Sequence, residues 1–514
     1  MNSTAQQRKR VLLFGIDAAE HTLVQSMIAR GKLPALRELL RQGAYGALDS
    51  PADLYSGAVW PTFYSGQRPA WHGIYHNKLW QPARMCCIVP DEGTYATRPF
   101  WEAFSSYGIR NCVVDVPLVL GGPQTFDGVY LNGWATHDTA VTHSWPAPLA
   151  RQLRREFGAS AMPAENFGAQ TGRSLEHLYG ELLRATKQLQ KVGLSLLRRE
   201  QWDFACVVFG AAHRAGHYLW DYGEARDIES VNVERRQRLV SAVEQVYVAI
   251  DHALSELLAE CGDALVIVFS LHGMGPNTGW SELVPDILDA RRAALSQQAV
   301  RKGSLYRIRR SLVTCLRPIL QHVPAAVAAR LVPLWSSRMF DWPQTRYFPL
   351  PMDLTAFLRV NLRGRERDGV VSEGPEYDAL CTELETFFHS LRDATTESPI
   401  VADIERIYEN MPRAATHRDG QPDLIVRWRE IRTREVRRLT SSQLPAFECA
   451  VPRHLPSGRS GNHLPLGWFI ARGPGIAAGK TLAMHDILDL APTVREHLGL
   501  EADPALHGRA LPLG

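Results

Sequence analysis

Two residues early in the chain have the types and settings that chemistry at a sheet edge requires. Asp17 ends the apolar run Val11-Leu12-Leu13-Phe14-Gly15-Ile16, and Ser56 opens Ser56-Gly57-Ala58-Val59-Trp60-Pro61-Thr62-Phe63. A buried parallel strand that ends in a carboxylate delivers it to the carboxyl edge of the sheet, where ligands bind in doubly wound folds. A hydroxyl on the next connection can share a metal ion with that carboxylate, and histidines at similar edges would make the pair half of a metallohydrolase site. They follow: His213 and His217 in Ala212-His213-Arg214-Ala215-Gly216-His217, His272 in Ser270-Leu271-His272-Gly273, and His463 in Gly461-Asn462-His463-Leu464. A spacing of four lets two imidazoles converge on one metal from a turn or short helix. Taken singly, each histidine is more often a surface or satisfied core residue. Four at successive strand ends point to one site.

The elements that must carry these groups are legible as alternating apolar runs and helical patterns. Strands are expected over residues 11–16, 111–116, 128–131, 203–209, 264–270, 354–361, 423–428 and 468–471, with helices over 174–200, 233–260 and 486–498. Such alternation builds βαβ units, so the fold expected is α/β: a doubly wound, mostly parallel sheet flanked by helices. With 514 residues the chain can hold one large domain with an insertion, or two domains. The segment between Ala290 and Phe340 breaks the rhythm. It has no Asp or Glu, yet it carries ten Arg or Lys from Arg291 to Arg338 among leucines and valines. The chain then divides into residues 1–285 (the first part of the core), 286–342 (a basic helical insertion or cap) and 343–514 (the rest of the core). A solvated helical face accounts for the basic segment as well as a cap that steers a polyanionic substrate or docks on an acidic membrane surface.

The bulk composition excludes several classes. A hydrophobic content of 45% and a charged content of 22% are those of a globular protein, and no uninterrupted apolar stretch is long enough to span a membrane. The apolar run after Arg8-Lys9-Arg10 is shorter than a signal-peptide core. Eight cysteines show no zinc-ribbon spacing, and Cys86-Cys87 are too close for an ordinary bridge, so reduced thiols and a cytoplasmic location are expected. No nucleic-acid-binding motif is present, and DNA or RNA is not expected as a partner.

Several short motifs, in order, resemble the alkaline phosphatase superfamily on its type I phosphodiesterase and nucleotide pyrophosphatase branch. They are Gly15-Ile16-Asp17, Gly31-Lys32-Leu33-Pro34, Trp60-Pro61-Thr62, Ser65-Gly66-Gln67-Arg68-Pro69, Gly216-His217, His272-Gly273-Met274-Gly275-Pro276, Asn361-Leu362-Arg363-Gly364, Gly461-Asn462-His463 and His507-Gly508-Arg509. The resemblance implies two metal ions, usually zinc, and a serine or threonine nucleophile that forms a phospho-enzyme. Asp17 and His272 would hold the ion that activates Ser56, and His213, His217 and His463 the other. Ser56 would be the nucleophile, a role compatible with capping the helix that follows it. The implied substrate is a small phosphorylated molecule, for which the arginine-rich segment suggests a diphosphate, a nucleotide-sugar or a phospholipid headgroup.

Three departures from the family pattern sharpen this. His213 and Leu271 stand where the family places Asp, and Val59 where nucleotide pyrophosphatases carry Asn. Three carboxylates against two divalent ions leave a net charge of about +1, whereas Asp17 alone would leave about +3 with two ions and about +1 with one. One firm ion, zinc with manganese or another divalent metal as alternatives, is therefore expected at His213, His217 and His463, and a weak or absent one near Asp17 and His272. A carboxylate such as Asp221 could fill the gap. Without the Asn, the transition-state oxygen needs another donor, for which the backbone N–H of Gly57 is the candidate. Trp134 and His137, in a segment that follows a strand, are candidates for the substrate side. A classical sulfatase is disfavoured, because Ser56-Gly57-Ala58-Val59-Trp60 lacks the Pro and Arg of the sulfatase motif. The readings that remain beside phosphodiester hydrolysis are phosphonate or phosphomonoester hydrolysis, and a binding or scaffold protein that has lost catalysis.

Overall fold

The structure is a computed structural model and describes residues 9–91, 94, 97–136, 141–163, 168–296, 340–412, 415 and 417–514. Its centre is a sheet with, among the described residues, ten strands. The middle of that sheet is Gly467–Arg472, Leu265–Ser270, Val11–Ile16, Phe204–Phe209, Asn111–Val114 and Gly128–Asn132 in spatial order. Val11–Ile16 is parallel to both its neighbours, with Ile16 opposite Phe209 and Gly15 opposite Phe269. Gly467–Arg472 runs antiparallel to Leu265–Ser270 and to Ala44–Asp49. The protein is thus an α/β fold with a mostly parallel sheet.

Alternation along these strands separates two apolar layers. Leu12, Phe14, Ile16, Val207 and Val268 face one cluster, while Val11, Leu13, Cys206, Val208 and Ile267 face the other. Side chains of successive strand residues point to opposite faces, so a run with no polar member must be covered on both. Helices Gly172–Arg199 and Ala242–Leu258 cover the first layer, and helices Val59–Ser65 and Leu490–His497 the second.

Strand positions follow the sequence pattern to within one or two residues, but the helix expected over 233–260 is two. Val233–Val240 ends at Ser241, and Ala242–Leu258 begins after it. Both halves place apolar residues on the same layer, so the hydrophobic period continues across the break and conceals it.

Residues 347–450 do not extend the central sheet. Tyr347–Leu350, Ala356–Val360, Leu424–Trp428 and Val401–Arg406 make an antiparallel sheet of their own. With helices Pro375–His389 and Val284–Ser296 they enclose a separate apolar cluster around Trp280, Leu380, Leu384 and Phe388. This lobe also buries charge in pairs. Arg359 and Arg365 share Glu366, and Arg365 holds Asp423 with two bonds of 2.7 Å. Chain from this lobe returns to the central sheet at Gly467.

The basic segment lies mostly outside the described residues, from 297 to 339. Its first turns continue helix Val284–Ser296. There Arg291 is buried, bonded to Glu383 and to the Tyr347 hydroxyl, and Arg292 pairs with Asp289. Arg291 ties this helix to the rest of the lobe, while Arg292 stays exposed beside Asp289.

Candidate active site and metal centre

Three adjacent parallel strands end at one edge, and a site residue follows each within four residues. Asp17 comes after Ile16, with its N–H donating to Phe209 O at 3.0 Å, and Ala18 turns the chain with a φ of 57°. A left-handed conformation at a residue with a Cβ is strained, and such strain is kept where the surroundings enforce it. Ser270 enforces it here. Its hydroxyl donates to His272 O at 2.9 Å and accepts from Ala19 N–H at 2.8 Å, which ties the turn after Asp17 to the turn carrying His272.

After Phe209 the chain enters helix Ala211–Leu219, which presents His213 and His217 four residues apart on one face. His463 comes from the strand Gly461–Leu464, paired antiparallel with Gly273–Pro276 so that His463 lies opposite Met274. Two glycines allow the helix to dock on this hairpin. A Cβ on Gly216 would lie 2.5 Å from the Met274 Cγ, and one on Gly461 would lie 2.1 Å from the Gly216 carbonyl oxygen.

The result is a compact cluster. One nitrogen from each of His213, His217 and His463 lies within 4.8 Å of the others, and all three side chains are buried. His213 Nε2 and His217 Nε2 are 3.2 Å apart. Two nitrogens held about 2.0–2.1 Å from a tetrahedral zinc would stand about 3.3 Å apart, so the donor set fits such an ion. His217 Nδ1 lies 3.0 Å from Gly461 O. A carbonyl only accepts, so Nδ1 carries the proton and Nε2 keeps its lone pair toward the cluster. Burial, followed by the charge of Arg459, holds the pKa of His217 well below its ordinary value and keeps the ring neutral, as a metal ligand must be.

Asp17 and His272 adjoin this centre. Asp17 Oδ1 is 3.6 Å from His272 Nε2, and Oδ2 is 4.0 Å from His213 Nδ1. The His272 and His463 rings stand 4.8 Å apart. All five residues singled out as ligands in the sequence therefore meet in one place. Leu271 is buried in the apolar layer with Phe269, so no carboxylate is contributed from that position. Asp221 does not replace it, being bound to Arg432 at 2.7 Å and Arg434 at 3.1 Å.

Ser56 begins the short 3₁₀ turn Ser56–Ala58 that leads into helix Val59–Ser65. Its hydroxyl is buried and has no hydrogen-bond partner among the described residues. Gly57 is required beside it, because a Cβ there would lie 2.7 Å from both His76 Cα and Tyr75 O. Trp134 is buried in the first apolar layer, its backbone N–H donating to Asp115 at 2.8 Å, and His137 lies outside the described residues.

Several contributors have no motif to announce them. Trp60 ties the Ser56 loop to the metal centre, its indole N–H donating to Asp17 Oδ1 at 2.8 Å. His76 faces Asp353 of the second lobe at 3.9 Å, and Asp353 also binds Arg459 at 3.2 Å. Thus the second lobe bridges the segment next to the Ser56 loop and the strand of His463. An apolar-looking Trp and an isolated Asp, far apart in sequence, give no signal of such contacts.

A mostly parallel sheet thus carries a carboxylate, a buried hydroxyl and an imidazole cluster at one edge. The family model of type I phosphodiesterase / nucleotide pyrophosphatase matches residues 11–332, and the chain belongs to that family. Membership supports a phosphoester hydrolase, in a family that depends on metal. No curated protein matches the chain in sequence. Among solved structures it is similar to phosphonoacetate hydrolase from Sinorhizobium meliloti 1021 bound to phosphonoformate, at 15% identity and a TM-score of 0.53 over 96% of each chain. The same enzyme bound to phosphonoacetate gives 15% and 0.52 over 96% of each. Murine ectonucleotide pyrophosphatase / phosphodiesterase 5, in an inactive form with AMP, gives 13% and 0.49, again over 96% of each chain. At these identities the hydrolase likeness speaks for the fold. Among the described residues no helix is long and apolar enough to cross a membrane.

Proposed function

We propose that this protein is a metal-dependent phosphodiesterase that acts through a phosphoserine at Ser56. One observation carries the reading: a buried hydroxyl without a partner sits on the loop that Trp60 ties to Asp17, beside three imidazoles disposed for a metal. Burying a hydroxyl unpaired is costly, and a site that does so reserves it for substrate.

His213, His217 and His463 would hold zinc, with manganese the alternative. When bound, the metal supplies positive charge to the oxygens of the phosphoryl group. Asp17 and His272 would hold a second ion weakly, because Leu271 supplies no carboxylate. Ser56 Oγ attacks phosphorus as the ester oxygen departs, and water then releases the phosphoryl group from Ser56. The Gly57 N–H would donate to a phosphoryl oxygen. Asp17, fixed by the Trp60 indole, orients the loop on which Ser56 rides. The substrate is a small phosphorylated molecule, and the seven described cysteines, all buried, suit a cytoplasmic setting.

Hydrolysis of bis(4-nitrophenyl) phosphate with added Zn²⁺ or Mn²⁺ tests this against Ser56→Ala and His217→Ala. Both variants should lose nearly all turnover. Activity that survives both substitutions would remove the mechanism. The burial of Leu271 favours one other reading, a binding protein that has lost catalysis, and metal binding without turnover in the unaltered protein would establish it.

A further inference from the structure

The chain passes between the core and the second lobe beside the metal centre. It leaves the core after strand Gly273–Pro276 and reaches the lobe's apolar cluster at Trp280. It re-enters at strand Gly461–Leu464, which carries His463. The two crossings are bonded to each other and to the site. Asn277 N–H donates to Ser460 O at 2.9 Å, and Asn277 Nδ2 donates to Arg459 O at 3.0 Å. Ser460 N–H donates to His217 O at 2.8 Å, so the return crossing also holds the helix of His213 and His217.

Two buried amides join these bonds into one network. Asn462 Oδ1 accepts from His463 N–H at 2.9 Å. Its Nδ2 donates to Asn277 Oδ1 at 3.2 Å and to Asp353 O, in the second lobe, at 3.1 Å. Ser281 Oγ donates to the same Asp353 O at 2.7 Å, and Gly279 N–H donates to Asn277 Oδ1 at 3.0 Å. The space is filled, since a Cβ on Gly279 would lie 3.1 Å from both Asn462 Nδ2 and Leu354 O. Leaving such groups unpaired in the interior is costly. The lobe therefore cannot shift without breaking these bonds or carrying the His463 backbone with it.

We propose that Asn277 and Asn462 are positioning residues that couple metal at the histidine cluster to docking of the second lobe. Metal–ligand distances tolerate only about ±0.2 Å, so the docked lobe sets whether His463 reaches an ion shared with His213 and His217. By linkage, an ion on the three imidazoles holds the lobe docked by the same factor. The inference rests on the metal centre of the proposed function, and not on Ser56 or on turnover.

Hydrogen–deuterium exchange of the full chain, read by mass spectrometry with and without Zn²⁺, tests it together with zinc affinity from chelator competition. In the unaltered protein, zinc should slow exchange about fivefold or more in the peptide 277–283 as well as in helix Ala211–Leu219. Asn277→Ala leaves the Asn462–His463 bond in place, yet it should weaken zinc about tenfold, as loss of an outer partner of a ligand does. Asn277→Asp, which keeps an acceptor for Asn462 Nδ2, should recover part of that. Asn462→Ala should weaken zinc as much or more. At saturating zinc it should keep the slowing in the helix and lose it at 277–283. The double Ala variant should lose no more affinity than Asn462→Ala, because the two residues act in series. A merely structural pair would lower the melting temperature of the metal-free protein and leave both zinc readouts alone.

Zinc that slows exchange only in the helix of the unaltered protein overturns the proposal, and that result needs no variant to fold. So do Ala variants with parental zinc affinity, variants that lose affinity but keep the slowing at 277–283, and losses that add in the double variant. Diester hydrolysis and metal content on the same preparations separate this from the catalytic reading. Zinc-linked protection of 277–283 without turnover sinks only that reading, whereas turnover with exchange there indifferent to zinc sinks the coupling alone. Absent zinc uptake would remove the metal centre and the coupling with it.

Discussion

Replacing Gly461 by Ala should loosen the metal centre without touching a ligand. The new Cβ would lie 2.1 Å from the Gly216 carbonyl oxygen and 2.9 Å from Trp220 Cβ, inside the 3.0 Å that such atoms keep. The first obstacle is backbone, so the helix carrying His213 and His217 and the strand carrying His463 must part by roughly one ångström. Metal–ligand distances tolerate only about ±0.2 Å, so a shift of that size cannot be absorbed at the three nitrogens. It also breaks the 3.0 Å contact that orients His217 through Gly461 O. Loss of such an orienting partner costs about tenfold to a hundredfold in metal affinity. Overpacking should lower stability as well, by about 1–3 kcal/mol. Competition with a chromogenic chelator gives the zinc affinity, and thermal melts with and without chelator give the two stabilities. In the variant, added zinc should raise the melting temperature less than in the parent. A Gly461→Ala protein with unaltered zinc affinity and turnover would refute the idea that close docking of helix on hairpin sets the site.

Other outcomes follow from the same geometry. Ser56→Ala should lose turnover yet keep zinc at the parent level by metal analysis, since Ser56 is no part of the histidine set. Trp60→Phe removes the donor to Asp17 Oδ1, worth about 1.5–3 kcal/mol for a charged acceptor. It should lower kcat/KM about tenfold or more with zinc retained, and simultaneous loss of zinc would show that Trp60 supports the centre instead. Chelation should abolish diester hydrolysis and zinc should restore it. For pH, the folded protein disfavours protonated His217 while the unfolded chain protonates it near pH 6.5. His72, buried and held at about 3, behaves likewise. The unfolded state then binds more protons, so the metal-free protein should lose stability as pH falls below about 6.5. Flat denaturation midpoints from pH 7.5 to 5.5 would contradict this.

The sequence by itself determined the strands of the central sheet and their order of chemistry. Runs such as Val11-Leu12-Leu13-Phe14-Gly15-Ile16 have no polar member, so they must be covered on both faces, and a polar residue at their end must emerge at an edge. That logic placed Asp17, His213 and His272 at one rim. The spacing of His213 and His217 fixed their common face. Helix breaks escaped detection, because the apolar period runs through Ser241 unchanged. The separate lobe of residues 347–450 was hidden too, because its strands carry the same β-branched pattern as the core. Only tertiary structure decided which distant groups met. His463 joins the cluster because Gly216 and Gly461 let helix and hairpin touch, and Trp60 reaches Asp17 across a sheet edge. Asn277 and Asn462 pair only because the chain leaves and re-enters the core side by side. Sequence period fixes which face a side chain takes, but pairing buried polar groups is a matter of a few ångströms between segments that the chain places far apart.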